Sequence, residues 1–577
     1  MPITYAAALA YEEPPIRVVL VQTFFLLLLN VLNWALDALL YSGLVGQILI
    51  GMAWGTPGAG ILSLNTEHAV VQIGYLGLIL LVYEGGLVWK DLAETTPLPQ
   101  ENAQVCPADS YLGGLSTAFP SLRANIALSA SVAATGIAAP IGLSFVLLRL
   151  VTSNGTSSSS LAAFAAGAAL CSTSLGTAFT VLRTSGLAAT RLGVVLAGAA
   201  MLDDVVGLVM VQVIASLGPR SAGATDVSAA TVVRPVLVSV AFAVVAVLLC
   251  RFVVQPATAA LNSWRSAHED ARISWLFRQS ATALVLHTAL LVAMVAGASY
   301  ARTSNLFAAY VAGAIISWWD SEVLHCSDDA VSDDHGSVRD GDASGNTRGN
   351  APLTSGCDIF DHYYRPAAKW VLQPFFFASI GFSIPVTKMF VGEIVWKGIV
   401  YAVLMCIGKL VCGLWLVRFP DVGIWIRSMV KNRQLKASEA RQDTTEVELH
   451  ERKPPASSRA DTGTLPSPEE KSKERNTLLN PPKPLSLYPA AILGVAMVPR
   501  GEIGFLIAAV AQSHGVFGQE MDSGTSDVFL LVTWAIVLCT LLGPPCVGLL
   551  VRRVRRLEGQ AAGRDVLGVW GIRSDSH

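Results

Sequence analysis

The sequence is poor in charge. Of its 577 residues only 14% are Asp, Glu, Lys or Arg, against roughly 25% in soluble proteins, while 53% are hydrophobic and the mean hydropathy is +0.52. Much of that charge is confined to a few stretches, so the rest of the chain is poorer still. This composition argues against a soluble globular protein and for a polytopic membrane protein. Neither sign of charge dominates: a net charge of −2 and an isoelectric point near 6.5 give no footprint for nucleic acid. No C-x-x-C pair occurs among the nine cysteines. Cys171, Cys250, Cys406, Cys412, Cys539 and Cys546 fall in or beside apolar stretches, where a thiol packs as a small apolar group, and Cys106, Cys326 and Cys357 fall in loops. Neither a disulfide framework nor a zinc site is supported. The N-terminal "MPITYAAALAYEEPP" lacks a basic region, so the first apolar run is expected to remain as a span.

What the sequence has is long apolar runs. A spanning helix needs about 20 mainly apolar residues, and thirteen candidates follow: 17–35, 41–58, 69–88, 125–149, 161–182, 190–217, 232–254, 281–300, 303–318, 366–384, 392–418, 487–513 and 527–551. The fold class is therefore an all-α polytopic membrane protein with about thirteen transmembrane helices. Before the spans lies a tail, 1–16; spans one to nine occupy 17–318, spans ten and eleven 366–418, and the last two 485–551, followed by a basic tail, 552–577. The segments 319–365, acidic, and 419–484, charged and rich in Pro and Ser, carry too few large apolar residues to offset the cost of ordering and are expected to be disordered. Within the second, Ser467–Pro468 offers a phosphorylatable site, though a tolerated linker is the plainer reading. No G-x-G-x-x-G domain follows the last span. The basic "VRRVRRLEGQ" is expected on the cytoplasmic side, which places the N-terminus outside and "RTSGLAATR", "NSWRSAHEDARISWLFRQS" and "RSMVKNRQLK" inside. The sequon "NGT" at Asn154–Thr156 then lies outside, close to the membrane and expected to be unused.

Against this background, ionisable residues inside spans stand out. Each costs about 2.5–3.5 kcal/mol at a helix centre, so the adjacent Asp203 and Asp204 in "AGAAMLDDVVGLVMVQVIASL" could cost about 5–7 kcal/mol if both are charged. Neighbours on a helix point about 100° apart, which lets one carboxylate meet a partner while the other faces a cavity. A cationic partner is available in Lys409, mid-way through "GIVYAVLMCIGKLVCGLWLVRF"; a lysine there either stays charged beside a carboxylate or snorkels to an interface. Two spans are interrupted: "GAALCSTSLGTAFTVL" by Ser172, Thr173, Ser174 and Gly176, and "LGVAMVPRGEIGFLIAAV" by Pro499, Arg500, Gly501 and Glu502. Unwound backbone is tolerable in a membrane only where it is buried in protein or lines a cavity, and two broken helices in corresponding halves point to a transporter's binding site. Spans 4–6 and 11–13 are placed as inverted repeats would be. Glu84 is expected to reach the headgroups, with attraction of cations as the other reading, and His287 is expected to be a satisfied packing histidine rather than a proton relay.

At this point the residues resemble a known family. The stretches "SGLVGQILIGMAWG", "LGLILLVYEGGL", "GAALCSTSLGTAFTVLRTSG", "RLGVVLAGAAMLDDVVGLVMVQV", "QPFFFASIGFSIP", "IGKLVCG" and "GVAMVPRGEIGFLIA" are similar to the monovalent cation/proton antiporter superfamily, with its sodium/hydrogen exchanger-like domain, nearest the second, bacterial-type branch. The resemblance implies a core domain in which two broken helices cross beside the acidic helix, a separate dimerisation domain, and a homodimer. It also implies that Asp204 is the principal cation and proton carboxylate, that Asp203 is the partner of Lys409, that Thr173 and Ser174 lie where an unwound helix nears the site, and that Arg500 and Glu502 form a scaffolding ion pair. Gln47 departs from the family, where Glu is frequent.

The mechanism implied is exchange of Na⁺ or K⁺ for protons, with no cofactor. One carboxylate in a low-dielectric cavity holds either a proton or a desolvated cation, and movement of the core carries one outward and the other inward. Asp203 and Asp204 would be the metal-ion ligands, and the ion is cargo. Two other classes compete. An intramembrane aspartyl protease needs facing carboxylates on different helices, which an adjacent pair does not give. A related-fold sodium-coupled solute symporter would share the broken helices but not the need for Asp203, Asp204 and Lys409 together. A plasma membrane, vacuole or endosome would each accommodate the chain.

Overall fold

In a bilayer every backbone polar group must be satisfied within the protein, so apolar runs of this length become helices. A computed structural model of the chain describes residues 13–40, 42–87, 109–151, 160–174, 187, 190–217, 229–267, 280–322, 356–417, 487–518, 526–560 and 566–571. Every regular element among them is helical. The helices are α1 (Ile16–Leu40), α2 (Gly43–Trp54), α3 (Leu64–Leu87), α4 (Asp109–Val151), α5 (Ser160–Cys171), α6 (Arg191–Leu217), α7 (229–267), α8 (Ser280–Ala301), α9 (Asn305–Glu322), α10 (356–382), α11 (Gly392–Leu410, continued by a 3₁₀ turn Val411–Leu416), α12a (Tyr488–Ala496), α12b (Glu502–Ser513) and α13 (Asp527–Gln560). Each of the thirteen expected spans falls on one of these. Among the described residues, α1, α3, α4, α6, α7, α8, α11 and α13 contain a stretch long and apolar enough to cross a membrane unaided. The protein is a multi-pass integral membrane protein.

Several boundaries differ from those expected. The acidic segment 319–365 is shorter than its composition implied, because α9 runs on to Glu322 and α10 begins at Gly356. Buried apolar residues explain the second shift: Ile359 and Phe360 anchor the start of α10, with Phe360 tilted against Tyr83 at 5.9 Å between ring centroids. Cys357 is thus helical rather than in a loop. The basic tail also carries structure, since α13 continues to Gln560 and a 3₁₀ turn, Gly568–Trp570, follows. The second part of the fifth expected span, the sequon, Cys106, Cys326 and all of 419–484 lie outside the described residues.

Two helices are not α-helical throughout. α7 widens into a π-turn at Cys250–Val254, and α10 does so at Phe360–Tyr364 and again at Ala368–Leu372. Each π-turn ends two residues before a proline: Pro256, Pro366 and Pro374. A proline ring collides with the carbonyl four residues earlier and has no N–H to offer it. A widened turn lets the helix continue past both problems, and a bulge of this kind is one recognised cause of helix bending.

Burial separates the centre from the periphery. In their most apolar windows α13 and α6 are 67% and 61% buried, whereas α1, α7 and α8 are 11%, 17% and 17% buried. The peripheral helices present large apolar side chains outward, including Trp34, Phe252 and Val285, as a hydrocarbon solvent allows. The central α6 carries the two aspartates.

Candidate functional site

The site begins where the end of α5 meets the break between α12a and α12b. α5 stops at Cys171, and Ser172–Ser174 follow without regular structure. α12a is capped at Met497, and α12b restarts at Glu502 behind Gly501, whose extended backbone (φ −101°, ψ −169°) forms the N-cap. Pro499 supplies no N–H, so hydrogen bonds lost along the chain are replaced across it. The Ser174 N–H donates to the Pro499 carbonyl at 2.9 Å, and Thr540 Oγ1 on α13 donates to the Arg500 carbonyl at 2.9 Å. Ser172–Ser174 and the stretch between α12a and α12b are therefore buried in protein.

The charged residues gather against these breaks. Lys409 Nζ lies 2.7 Å from Asp203 Oδ2, with both side chains fully buried. Thr173 closes a triangle: its Oγ1 donates to Asp203 Oδ2 at 2.7 Å and accepts from Lys409 Nζ at 2.9 Å. Among the described residues Asp203 Oδ1 has no hydrogen-bond partner. Asp204, one residue on and rotated about 100° around the helix, is only half-buried and makes no hydrogen bond or ion pair with any described residue. One carboxylate is thus neutralised and inaccessible, and its neighbour is uncommitted and reachable. The described residues hold no group of three or more His, Cys, Asp or Glu that could retain a metal ion.

Arg500 and Glu502 do not form the expected ion pair. Between described residues the ion pairs are Arg365–Glu84, Arg365–Asp361, Lys397–Glu393 and Lys409–Asp203. Arg500, fully buried, turns towards the carbonyl end of α5 and reaches the Ser172 carbonyl at 3.4 Å, beside the Cys539 thiol. The negative end of that helix dipole suits a cation. Glu502 opens α12b on the far side of Gly501 and stands close enough to Asp204 for the two carboxylates to act on each other. The break separates the two residues and sends them in different directions.

The family model for the sodium/hydrogen exchanger, transmembrane, matches residues 111–553. The chain belongs to the sodium/hydrogen exchanger family. It is thereby a member of the monovalent cation/proton antiporter superfamily, whose members are transporters, and the matched segment contains every residue named at this site. No match was found among curated proteins. Among solved structures the chain is similar to the sodium proton antiporter MjNhaP1 from Methanocaldococcus jannaschii, determined at pH 8, with 11% identity over 93% of this chain and 99% of that one, and a TM-score of 0.48.

The exchanger's site also involves residues that its sequence did not single out. Gly136 on α4 is one: a Cβ there would lie 3.1 Å from Lys409 Nζ, so its bareness makes room for the ammonium. The only signal is the run of small residues "AATGIAAP", which reads equally well as packing. Glu84 and His287 both lie away from the site. Glu84 accepts from Arg365 Nη2 at 2.9 Å, at the edge of a polar cavity of about 330 Å³ that Gln47 and Gln373 also line. His287 is buried against the start of α10, as a packing histidine is.

Proposed function

We propose that this exchanger moves Na⁺ or K⁺ in one direction and protons in the other through alternating access, with Asp204 as the carboxylate that holds each in turn. The observation that carries the reading is the contrast within the pair: Asp203 is buried on Lys409, and Asp204 is half-buried and has no ion-pair partner among the described residues. A cation arriving at Asp204 finds a second carboxylate nearby in Glu502 and the non-helical backbone after α5 and between α12a and α12b. These are the hard oxygen ligands that an alkali cation prefers. Proton and cation exclude one another at one carboxylate, which couples their movements.

In this reading Asp203, Thr173 and Lys409 keep the site's charge balanced while Asp204 exchanges its occupant, with Ser174 placed by its backbone bond to the second break. If the cation also draws Asp203 away from Lys409, the lysine can release a proton, and exchange of two protons for one cation becomes electrogenic; Asp204 acting alone gives neutral exchange. Arg500 serves as scaffold. The helices bearing the site would move as a core against a dimerisation domain, and the chain would work as a homodimer in a plasma, vacuolar or endosomal membrane.

The test is dissipation of a pH gradient in proteoliposomes on addition of Na⁺ or K⁺. Asp204→Asn is expected to abolish the response, and retained exchange would remove Asp204 from its role. Lys409→Ala is expected to alter the dependence of exchange on an imposed potential, and an unchanged dependence would remove Lys409 from the electrogenic step.

A further inference from the structure

The seam between α11 and α13 carries two thiols that the exchange site does not use. Cys406 Sγ of α11 and Cys539 Sγ of α13 lie 3.8 Å apart, and both cysteines are free. Cys539 is fully buried, and its sulfur also reaches the carbonyl of Ala402, one turn before Cys406, at 3.9 Å. Cys406 is half-buried, so a small molecule can reach one sulfur of the pair but not the other. A single buried thiol packs as a small apolar group. Two in contact on different helices also have a chemistry in common.

The two helices are held close along this seam. A Cβ on Gly398 of α11 would lie 2.6 Å from the Trp534 Cβ of α13, and the Trp534 indole N–H donates to the Met389 carbonyl, just before α11, at 2.8 Å. The contact of α3 with α9 is as tight but is made by backbone. There a Cβ on Gly86 would lie 2.3 Å from the Tyr310 carbonyl oxygen, and one on Gly313 would lie 2.3 Å from the Tyr83 carbonyl oxygen. Both sulfurs of the α11–α13 seam stand beside residues that hold the site. Lys409 follows Cys406 within one helical turn, and Thr540, which donates to the Arg500 carbonyl, follows Cys539 directly.

We propose that Cys406 and Cys539 form a redox modification site, which hydrogen peroxide closes to a disulfide, and that closing it slows exchange. Peroxide attacks at Cys406, the reachable sulfur. An S–O bond forms, the O–O bond breaks, the thiol proton leaves with the departing oxygen as water, and Cys406 becomes a sulfenic acid. The Cys539 sulfur then attacks the Cys406 sulfur. An S–S bond forms, the S–O bond breaks, and the Cys539 proton leaves with the hydroxyl group as a second water. The two thiols together lose two electrons, which the peroxide takes up, and a dithiol reverses the change. A disulfide is about 2.05 Å long, so the sulfurs must close by roughly 1.8 Å from their present separation. A close-packed interior transmits such a shift, and Lys409 and the second break lie next to it. The inference rests on cation–proton exchange as the activity and not on which carboxylate carries the ion.

The experiment treats the purified protein in proteoliposomes with hydrogen peroxide, maps its unreduced peptides by mass spectrometry, and times dissipation of a pH gradient before and after dithiothreitol. A Cys406–Cys539 linked peptide is expected, with a rate about fivefold lower or less that dithiothreitol restores. Cys406→Ser and Cys539→Ser should exchange normally when reduced and keep their rates under peroxide. Cys406→Ala serves where a serine hydroxyl disturbs folding. Cys546→Ser, at the exposed thiol further along α13, should respond to peroxide as the unaltered protein does. Absence of the linked peptide after peroxide treatment overturns the modification site. A linked peptide with an unchanged rate, or the same loss of rate in Cys406→Ser, overturns its control of exchange. Reduced protein that dissipates no gradient with any cation overturns the proposed function instead, and the peptide map still decides the modification site.

Discussion

Lys409 is fully buried, and its Nζ makes two contacts, Asp203 at 2.7 Å and Thr173 at 2.9 Å. Removing one member of such a pair strands the other, at a cost of about 3–5 kcal/mol. Lys409→Ala should therefore lower the melting temperature of the purified protein, and adding Asp203→Asn should restore part of the loss. A double variant no more stable than Lys409→Ala would show that the two charges are not coupled. Asp203, Asp204 and Lys409 were legible in the sequence because each is expensive in an apolar helix and so advertises a use. The fate of Arg500 and Glu502 was not legible: two residues apart across a glycine, they read as a pair, and only the direction of the broken backbone decides that they diverge. Gly136 was hidden for the opposite reason, since it acts by the absence of a side chain.

At the scale of elements, hydropathy located the helices and proline and glycine located the breaks. The three π-turns were not legible, because a proline inside an apolar run can kink a helix, end it or be accommodated by a widened turn, and the packing around it decides which. The second break depends on close support. Gly543 of α13 lies under Pro499, where an added Cβ would stand 2.5 Å from the proline ring, whereas a Cβ on Gly548 one turn later would meet nothing within 4 Å. Gly543→Ala is expected to destabilise by about 1–3 kcal/mol, the usual cost of overpacking. Gly548→Ala should be neutral or stabilising by about 0.5–1 kcal/mol, since alanine suits a helix better. Thermal melting of the two variants distinguishes these cases, and equal melting temperatures would mean that α13 does not brace the break.

Across the whole molecule, the chain's last described segment returns to the helix that carries the site. Trp570 is 1% exposed and lies in an apolar cluster with Leu192, Val195, Val551 and Val554, while the Arg191 guanidinium stands over its ring at 5.2 Å and also donates to Asn125 at 2.9 Å. Composition alone marked this tail as basic and cytoplasmic; the single tryptophan within it packs into the protein. Trp570→Ala is expected to cost about 3–5 kcal/mol, read as a lower melting temperature, and no loss would show that the tail is not part of the packed unit.

The contact of α3 with α9 has a use outside transport. Backbones that touch at Gly86 and Gly313 keep a fixed separation, so this pair can serve as an internal ruler. Spin labels on lipid-facing positions of α3 and α9 should give one narrow distance under every ionic condition. Labels on α9 and α6 should give a distribution that broadens or shifts when protons are replaced by cation, and the first pair supplies the zero against which that shift is read.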